Sequence, residues 1–384
     1  MINIILLGLT SMLTDISSEM IYPLIPIYLT LQLGATPAIV GIIEGFAESI
    51  ASLLKVFSGY ISDKLQKRKF IAISGYGCST VGKLFLYIST SWIYVLIARL
   101  IDRFGKGIRT APRDALIADS VGPENRGVAY GIHRTLDTFG AIIGVIIAYI
   151  LLLSLTNSSH SEQYKNIFLI SIIPAILGII ILFFVKEKTG KANNDKFSIS
   201  ELKKQIIIPQ KLKYFLIISF FFTLGNSSNQ FLLLRAQNLG FNPINVVLLY
   251  LVYNITYTLF SYPAGKISDK INKKYIIVLG YLIYGIVYLG FAVIKKNGIL
   301  WILFGIYGLY MGLTEGVEKA LVSIISPKES RATLLGLHSA IVGIGLLPAS
   351  IIAGALWNIF GPSVPFYISA ATGIISSIAF FILL

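Results

Sequence analysis

The chain has 384 residues, 55% hydrophobic and only 13% charged, with a mean hydropathy of +0.78 and a formal charge of +14. That is too apolar for a soluble domain of this length, and a single cysteine, Cys78, excludes an internal disulfide framework. No Cys/His spacing suggests a metal or cofactor site, and the continuous apolar runs differ from the roughly ten-residue alternating segments of a membrane β-barrel.

Apolar runs long enough to cross ~30 Å of hydrocarbon predict an all-α polytopic membrane protein with twelve spans. They lie near 4–30, 38–62, 70–90, 92–110, 128–154, 166–185, 213–238, 243–266, 275–295, 299–322, 332–356 and 362–384. The first lacks a basic flank and a small-residue cleavage site, so it is expected to be a retained helix. It carries Asp15 and Glu19, four apart on one face, then Pro23 and Pro26, which predict a bend.

Span 2 adds Glu44, Glu48 and Lys55, and span 3 adds Lys83. Span 4, ARLIDRFGKGIRTAPRDALIADS, sets Arg99, Asp102, Arg103 and Lys106 along one flank at spacings of three or four. Span 5 carries Arg134 and Asp137, with which Asp102 and Arg103 are expected to pair, and then TFGAIIGVIIA, whose Gly140 and Gly144 suit close helix packing. Counted by helical rise from the outer ends, Glu19, Glu44 and Arg99 share a depth, so ion pairing across helices is geometrically open to them. Ionisable groups at such depth cost at least ~2.5–3.5 kcal/mol each and default to functional candidates.

The polar, basic stretch 186–212 reads as a linker between a first half, 1–185, and a second, 213–384. In the second half GNSSNQ (225–230) interrupts an apolar span, and span 10 holds Glu315, Glu318 and Lys319. In ISPKESRATLLG, Ser326 ahead of Pro327 offers a helix start, which makes Glu329 and Arg331 helix-end residues. His133 and His338 fall near helix ends, where hydrogen bonding is the commoner role.

Lys and Arg crowd the even-numbered gaps, whereas Lys165, Lys295 and Lys296 are all that the odd-numbered ones hold. The bias puts both termini in the cytoplasm. It also accounts for the basic charge as one membrane face, without a nucleic-acid partner. Trp92, Trp301 and Trp357 sit at predicted outer helix ends, where amphipathic rings prefer the interface.

One stretch occurs twice. GYISDKLQKRKF at 59–70 returns as GKISDKINKKYI 206 residues on (59 to 265), and RGVAYGIHR returns as RATLLGLHS 205 on (126 to 331). Two repeats at one offset indicate a duplicated six-span unit. Gly59, Asp63, Lys64, Lys67 and Arg68, with Gly265, Asp269, Lys270, Lys273 and Lys274, resemble the loop signature Gly-x-x-x-Asp-Arg-x-Gly-Arg-Arg of the major facilitator superfamily. Gln66 and Asn272 replace its inner glycine, which predicts a different turn, Asn tolerating positive φ better than Gln. The alternative for these loops is a solvated basic segment that serves topology alone.

The resemblance covers the whole chain and implies two pseudo-symmetric six-helix bundles that rock about a midplane site, with spans 1, 4, 7 and 10 around the cavity. It makes Asn226, Asn229, Gln230 and Glu315 substrate-contact candidates. It makes the two loops cytoplasmic gates, built on Gly59, Asp63, Lys67, Arg68, Gly265, Asp269, Lys273 and Lys274. Arg99 matches the arginine of a span 4 pattern linked to proton coupling, while Asp102 and Arg103 depart from it. A carboxylate that an arginine approaches and leaves can gain and lose a proton, so Glu19, then Asp15, are the proton-coupling candidates. The alternative for Glu19 is a static ion pair holding spans 1 and 4 together. Glu44, Glu48, Asp102, Arg103, Arg134 and Asp137 form the expected buried charge network.

The function expected is secondary active transport of a small polar or charged organic solute, with protons and the lipid bilayer as partners, by a monomer in the cytoplasmic membrane. A proton-driven multidrug exporter is the alternative. A membrane-embedded transferase needs clustered Asp for Mg²⁺, or a Ser/His/Asp set, and the acids here are scattered. A transporter-derived sensor would be expected to carry a soluble domain, and no stretch reads as one.

Overall fold

A computed structural model describes residues 2–65, 67–122, 125–155, 159–187, 208–295, 297–327 and 331–384. Among them there are helices and no strands. In chain order they are α1 (Ile2–Ile21), α2 (Pro37–Leu65), α3 (Arg68–Tyr87), α4 (Trp92–Asp119), α5 (Arg126–Ser154) and α6 (His160–Phe183), then α7a (Gln210–Gly225), α7b (Gln230–Asn238), α8 (Pro243–Lys270), α9 (Lys273–Val293), α10 (Leu300–Ile325), α11 (Arg331–Phe360) and α12 (Val364–Leu383).

Among the described residues, eight segments are long and apolar enough to cross a membrane: Ile2–Gln32, Val128–Ser154, His160–Phe183, Pro243–Ser268, Lys273–Val293, Leu300–Ile325, Leu334–Phe360 and Val364–Leu383. The protein is therefore a multi-pass membrane protein. The other predicted spans are less apolar for visible reasons: α2 and α4 are dense in charge, α3 holds Lys83 among Gly, Ser and Thr, and α7 is broken into pieces of 16 and 9 residues.

The bend predicted at Pro23 and Pro26 is a change of helix type. After Ile21 the chain tightens into a 3₁₀ turn (Tyr22–Leu24), makes one α turn (Ile25–Ile27) and widens into a π turn (Tyr28–Gln32), as expected where proline removes backbone donors. Helix α4 runs past its expected end at 110 to Asp119, with Pro112 inside it. Ser326 does not start a helix. It caps the end of α10, its Oγ donating to the Val322 carbonyl at 2.6 Å.

Helix α1 packs on α5 and α6, and α4 on α2 and α3. A Cβ on Gly140 or Gly144 would collide with the α1 backbone at Met12 or Ile16, so the predicted close approach is real. In the second half α9 packs on α10 and α12, α8 on α10, and α7a on α11 and α12. Two seams join the early helices to the late ones: α2 lies along α11, and α5 meets α8. The α2–α11 seam is tight, since a Cβ on Gly41 would strike the Ser350 carbonyl and one on Gly354 would lie 2.7 Å from that of Pro37. Trp92 and Trp301 lie in the first turns of their helices and Trp357 in the last turn of α11.

Candidate functional site

Periodicity places the acids of α1 on one face, and the fold turns that face toward α4. Between them lies a cavity of about 270 Å³ lined by Asp15, Glu19, Glu48, Asp102 and Asp137 together with Lys83, Arg99, Arg103, Lys106, Arg109 and Arg134. Tyr22 and Tyr250 complete its aromatic edge. A second cavity of about 510 Å³ continues past Arg134 and Asp137, which line both, toward Tyr257, Gly265, Glu315 and Lys319.

The central ion pair joins two of the three residues that share a depth. Arg99 forks onto Glu44 of α2 through Nε–Oε1 and Nη2–Oε2, both 2.8 Å, and neither residue is more than 5% exposed. Such a bidentate pair is the strong form of this contact, and it repays desolvation only because its geometry is good. Glu44 also accepts a long 3.4 Å bond from the Ser228 hydroxyl. A second pair lies beside it, Arg103 binding Glu48 at 3.1 Å, and Asp102 bridges the two arginines at 3.6 and 3.9 Å.

Glu19 pairs with no arginine. Its Oε2 accepts a 2.7 Å bond from Tyr250 of α8, on the far side of the cavity. The static Glu19–Arg99 pair is thus replaced by a contact between an early and a late helix. Arg99 instead lies 5.8 Å from the Tyr22 ring.

The expected link from Asp102 and Arg103 to span 5 also fails. Those residues are consumed by α2 and α4, while Arg134 turns to Asp137 on its own helix at 3.6 Å and to Glu315 of α10 at 3.5 Å. The Tyr257 hydroxyl joins that pair, accepting from Arg134 and donating to Glu315. Asp137 further accepts from Ser11 at 2.6 Å, and Arg113 donates to the same Ser11 oxygen at 3.1 Å.

The polar run at 225–230 breaks the helix rather than lining the cavity. Asn226 caps α7a, Asn229 accepts from Tyr307 at 2.7 Å, and Gln230 is wholly buried with neither amide atom hydrogen-bonded. The backbone N–H of Ser228 donates to Ser350 of α11. None of the three predicted residues lines either cavity, whereas Glu315 lines the larger.

At the loops, Gly59 lies against α4, where a Cβ would sit 3.4 Å from Ala111, and a Cβ on Gly265 would meet open space. Arg68 pairs with Asp119, and Lys273 donates to the Ser268 carbonyl at 2.7 Å. Lys67 precedes α3 as its exposed cap residue. Asn272 does not use positive φ. At φ −58° its side chain accepts the Lys274 N–H at 3.0 Å and caps α9, a role the missing glycine could not fill. Gln66, Glu329, most of the predicted linker (188–207) and the side chains of Asp63, Asp269 and Arg331 lie outside the described residues.

Residues that the sequence did not single out are Tyr250, Tyr257, Ser228 and Ser11. A tyrosine or serine in an apolar helix has no distinguishing spacing, and only contact across helices reveals it.

Comparison with known proteins agrees with this architecture. The family description Major Facilitator Superfamily matches residues 7–234 and 215–384. An uncharacterized MFS-type transporter of Methanocaldococcus jannaschii is 42% identical over 382 residues, covering 98% of this chain and 93% of that protein. Multidrug resistance protein MdtH of Blochmanniella pennsylvanica is 23% identical, covering 87% and 80%. Among solved structures, nucleoside transporter NupG has a TM-score of 0.79 at 14% identity, covering 100% and 99%. An inward-facing, occupied bacterial homolog of the human lysosomal transporter Spinster has a TM-score of 0.76 at 15% identity, covering 99% and 96%. With a family model spanning both halves and a relative this similar along its length, the chain belongs to the major facilitator superfamily, a family of transporters and not of enzymes.

Proposed function

We propose that this transporter is a proton-coupled secondary carrier of a small polar or charged organic solute, working by alternating access as a monomer in the cytoplasmic membrane. In this reading it crosses the membrane twelve times, as two six-helix bundles (1–185 and 213–384) joined by a cytoplasmic linker, with both termini in the cytoplasm. The observation that carries the proposal is the charge-lined cavity between α1 and α4, bordered by α8 through Tyr250. Ionisable side chains at membrane depth are expensive and are kept where they bind or relay charge.

Access supports the same reading. The α2–α11 seam is tightly packed, while the second cavity runs from Arg134 toward Gly265, at the end that carries the repeated loops. Arg134 and Asp137 stand between the two cavities as a constriction, Arg134 held there by Tyr257 and Glu315, and a contact made in one state biases an equilibrium between two. Glu19 is the proton carrier of choice and Asp15 the second, because both face the cavity without an arginine at ion-pairing distance. Arg99, locked to Glu44, holds the wall behind them.

Proton-driven export of drugs is a second reading, favoured by the resemblance to MdtH. Counterflow in proteoliposomes against amino acids, carboxylates, sugars, nucleosides and cationic drugs, each with and without an imposed pH gradient, tests both. Accumulation driven by the gradient is expected for one class of polar solute. Gradient-driven export of apolar cations alone would favour the second reading, and indifference to the gradient would end proton coupling.

A further inference from the structure

The cavity between α1 and α4 holds more charge than its ion pairs consume, and the surplus carboxylates come from α1 while the surplus cations come from α3 and α4, Lys83 reaching across to α1. Arg99 is taken by Glu44, Arg103 by Glu48, with Asp102 between them, and Arg134 by Asp137 and Glu315. Arg109 is buried and occupied by the Ser79 hydroxyl and the Tyr76 ring, 4.5 Å away. Besides Arg109, two cations and two carboxylates of the cavity wall have no partner of opposite charge among the described residues.

The cations are Lys83 of α3 and Lys106 of α4. Lys83 is 3% exposed, and its ammonium donates only to hydroxyls, Ser17 at 2.6 Å and Ser18 at 3.3 Å. Lys106 is exposed within the cavity wall. The carboxylates are Asp15 and Glu19 of α1; Asp15 lies in hydrogen-bond contact with the Asp137 carboxyl, and Glu19 holds one hydrogen bond from Tyr250. None of the four has an oppositely charged group at ion-pairing distance.

A purely cationic solute would suit α1 and be repelled by Lys83 and Lys106, and a purely anionic one would meet the reverse. A solute bearing both charges is repelled by neither wall, which is how specificity is built from unfavourable contacts as much as favourable ones. The volume, about 270 Å³, lies just below the ~300–1,000 Å³ typical of ligand pockets and suits a small metabolite. Resting on the transport reading above, we infer that the cavity selects a small zwitterion, its cationic group on Asp15 and Glu19 of α1 and its anionic group on Lys83 of α3 and Lys106 of α4.

The full chain in detergent is tested by thermal shift against amino acids, short peptides and betaines. For each amino acid and peptide the panel includes the amide, which lacks the carboxylate, and the N-acetyl derivative, which lacks the ammonium. At least one zwitterion is expected to raise the melting temperature, and its two singly charged derivatives are expected to bind about tenfold more weakly or worse. Lys106→Gln and Glu19→Gln should each weaken that zwitterion by a similar factor. Lys106→Gln leads because the side chain is exposed and its loss leaves the packing alone; Lys83→Met follows as the buried counterpart. Equal stabilisation by the amide or the N-acetyl derivative overturns the inference, and so does a panel in which no zwitterion stabilises. Proteoliposomes separate the two proposals. A zwitterion that binds and does not cross sinks the transport reading alone, while a singly charged solute that crosses in place of any zwitterion sinks the inference alone.

Discussion

The first six helices and the last six share a repeat and differ in what they bury. Around α1, α2 and α4 the interior holds ion pairs, with Arg99 on Glu44 and Arg103 on Glu48. Around α8, α9 and α10 it holds tyrosines: Tyr281, Tyr284, Tyr288, Tyr307 and Tyr310 are all buried, and Tyr281 stacks on Phe222 with ring centroids 4.0 Å apart. The difference is one of stiffness and of chemistry. Charged pairs have discrete alternative partners, so a wall made of them can exchange contacts, whereas a stacked aromatic block resists rearrangement because its contacts are many and short-ranged. The charge-lined helices and the aromatic ones meet where Tyr250 reaches Glu19 and Tyr257 reaches Arg134.

The sharpest way to break this comparison is at the ion pair. Arg99→Met leaves Glu44 buried and unpaired, and about 3–5 kcal/mol of stability should be lost, visible as a fall in the detergent melting temperature. Adding Glu44→Leu should return most of it while transport stays impaired. A single mutant as stable as the parent would show that the first half does not depend on its charges.

Glu19→Gln tests the chemistry rather than the scaffold. Gradient-driven accumulation should disappear while solute exchange between the two sides persists, because the amide still accepts from Tyr250 and carries no titratable proton. Full gradient-driven transport in this variant would move the proton to another group. Tyr257→Phe removes the hydroxyl shared by Arg134 and Glu315, and should change the rate of transport by about tenfold, the scale of one charge-assisted hydrogen bond. A cysteine placed at Gly131, which faces open space, should keep its labelling rate if the constriction is unaffected and gain in rate if the constriction loosens. Smallest is Tyr284→Phe in the aromatic block, which loses a 3.0 Å bond to the Gly225 carbonyl and keeps the ring. About 1 kcal/mol of stability and no change in solute preference are expected, and altered preference would contradict a merely supporting aromatic block.

Much of this was legible before folding. Apolar runs of membrane length, the loop repeated at one offset and the acids four apart on α1 are local properties of the chain, and helix geometry alone converts them into spans, halves and faces. The fork of Asn272 into a helix cap lay partly within reach too, since asparagine is a preferred cap residue. The break at 225–230 was visible as polarity but was misread as a cavity wall, because a polar stretch in an apolar helix either ends the helix or lines a space and its sequence looks the same in both cases.

Partner choice belonged to the tertiary structure. Depth along a helix follows from counting residues, which is why Glu19, Glu44 and Arg99 were grouped correctly at one level. Depth is one coordinate, and pairing needs the rotation of each helix and its distance from the next. The packing of α2 against α4 gave Arg99 to Glu44, the gap between α1 and α4 left Glu19 facing a cavity, and the approach of α8 brought Tyr250 to it. Composition and periodicity determined that charges lie inside the membrane; only the arrangement of helices around them decided which are spent on one another and which are left for a solute.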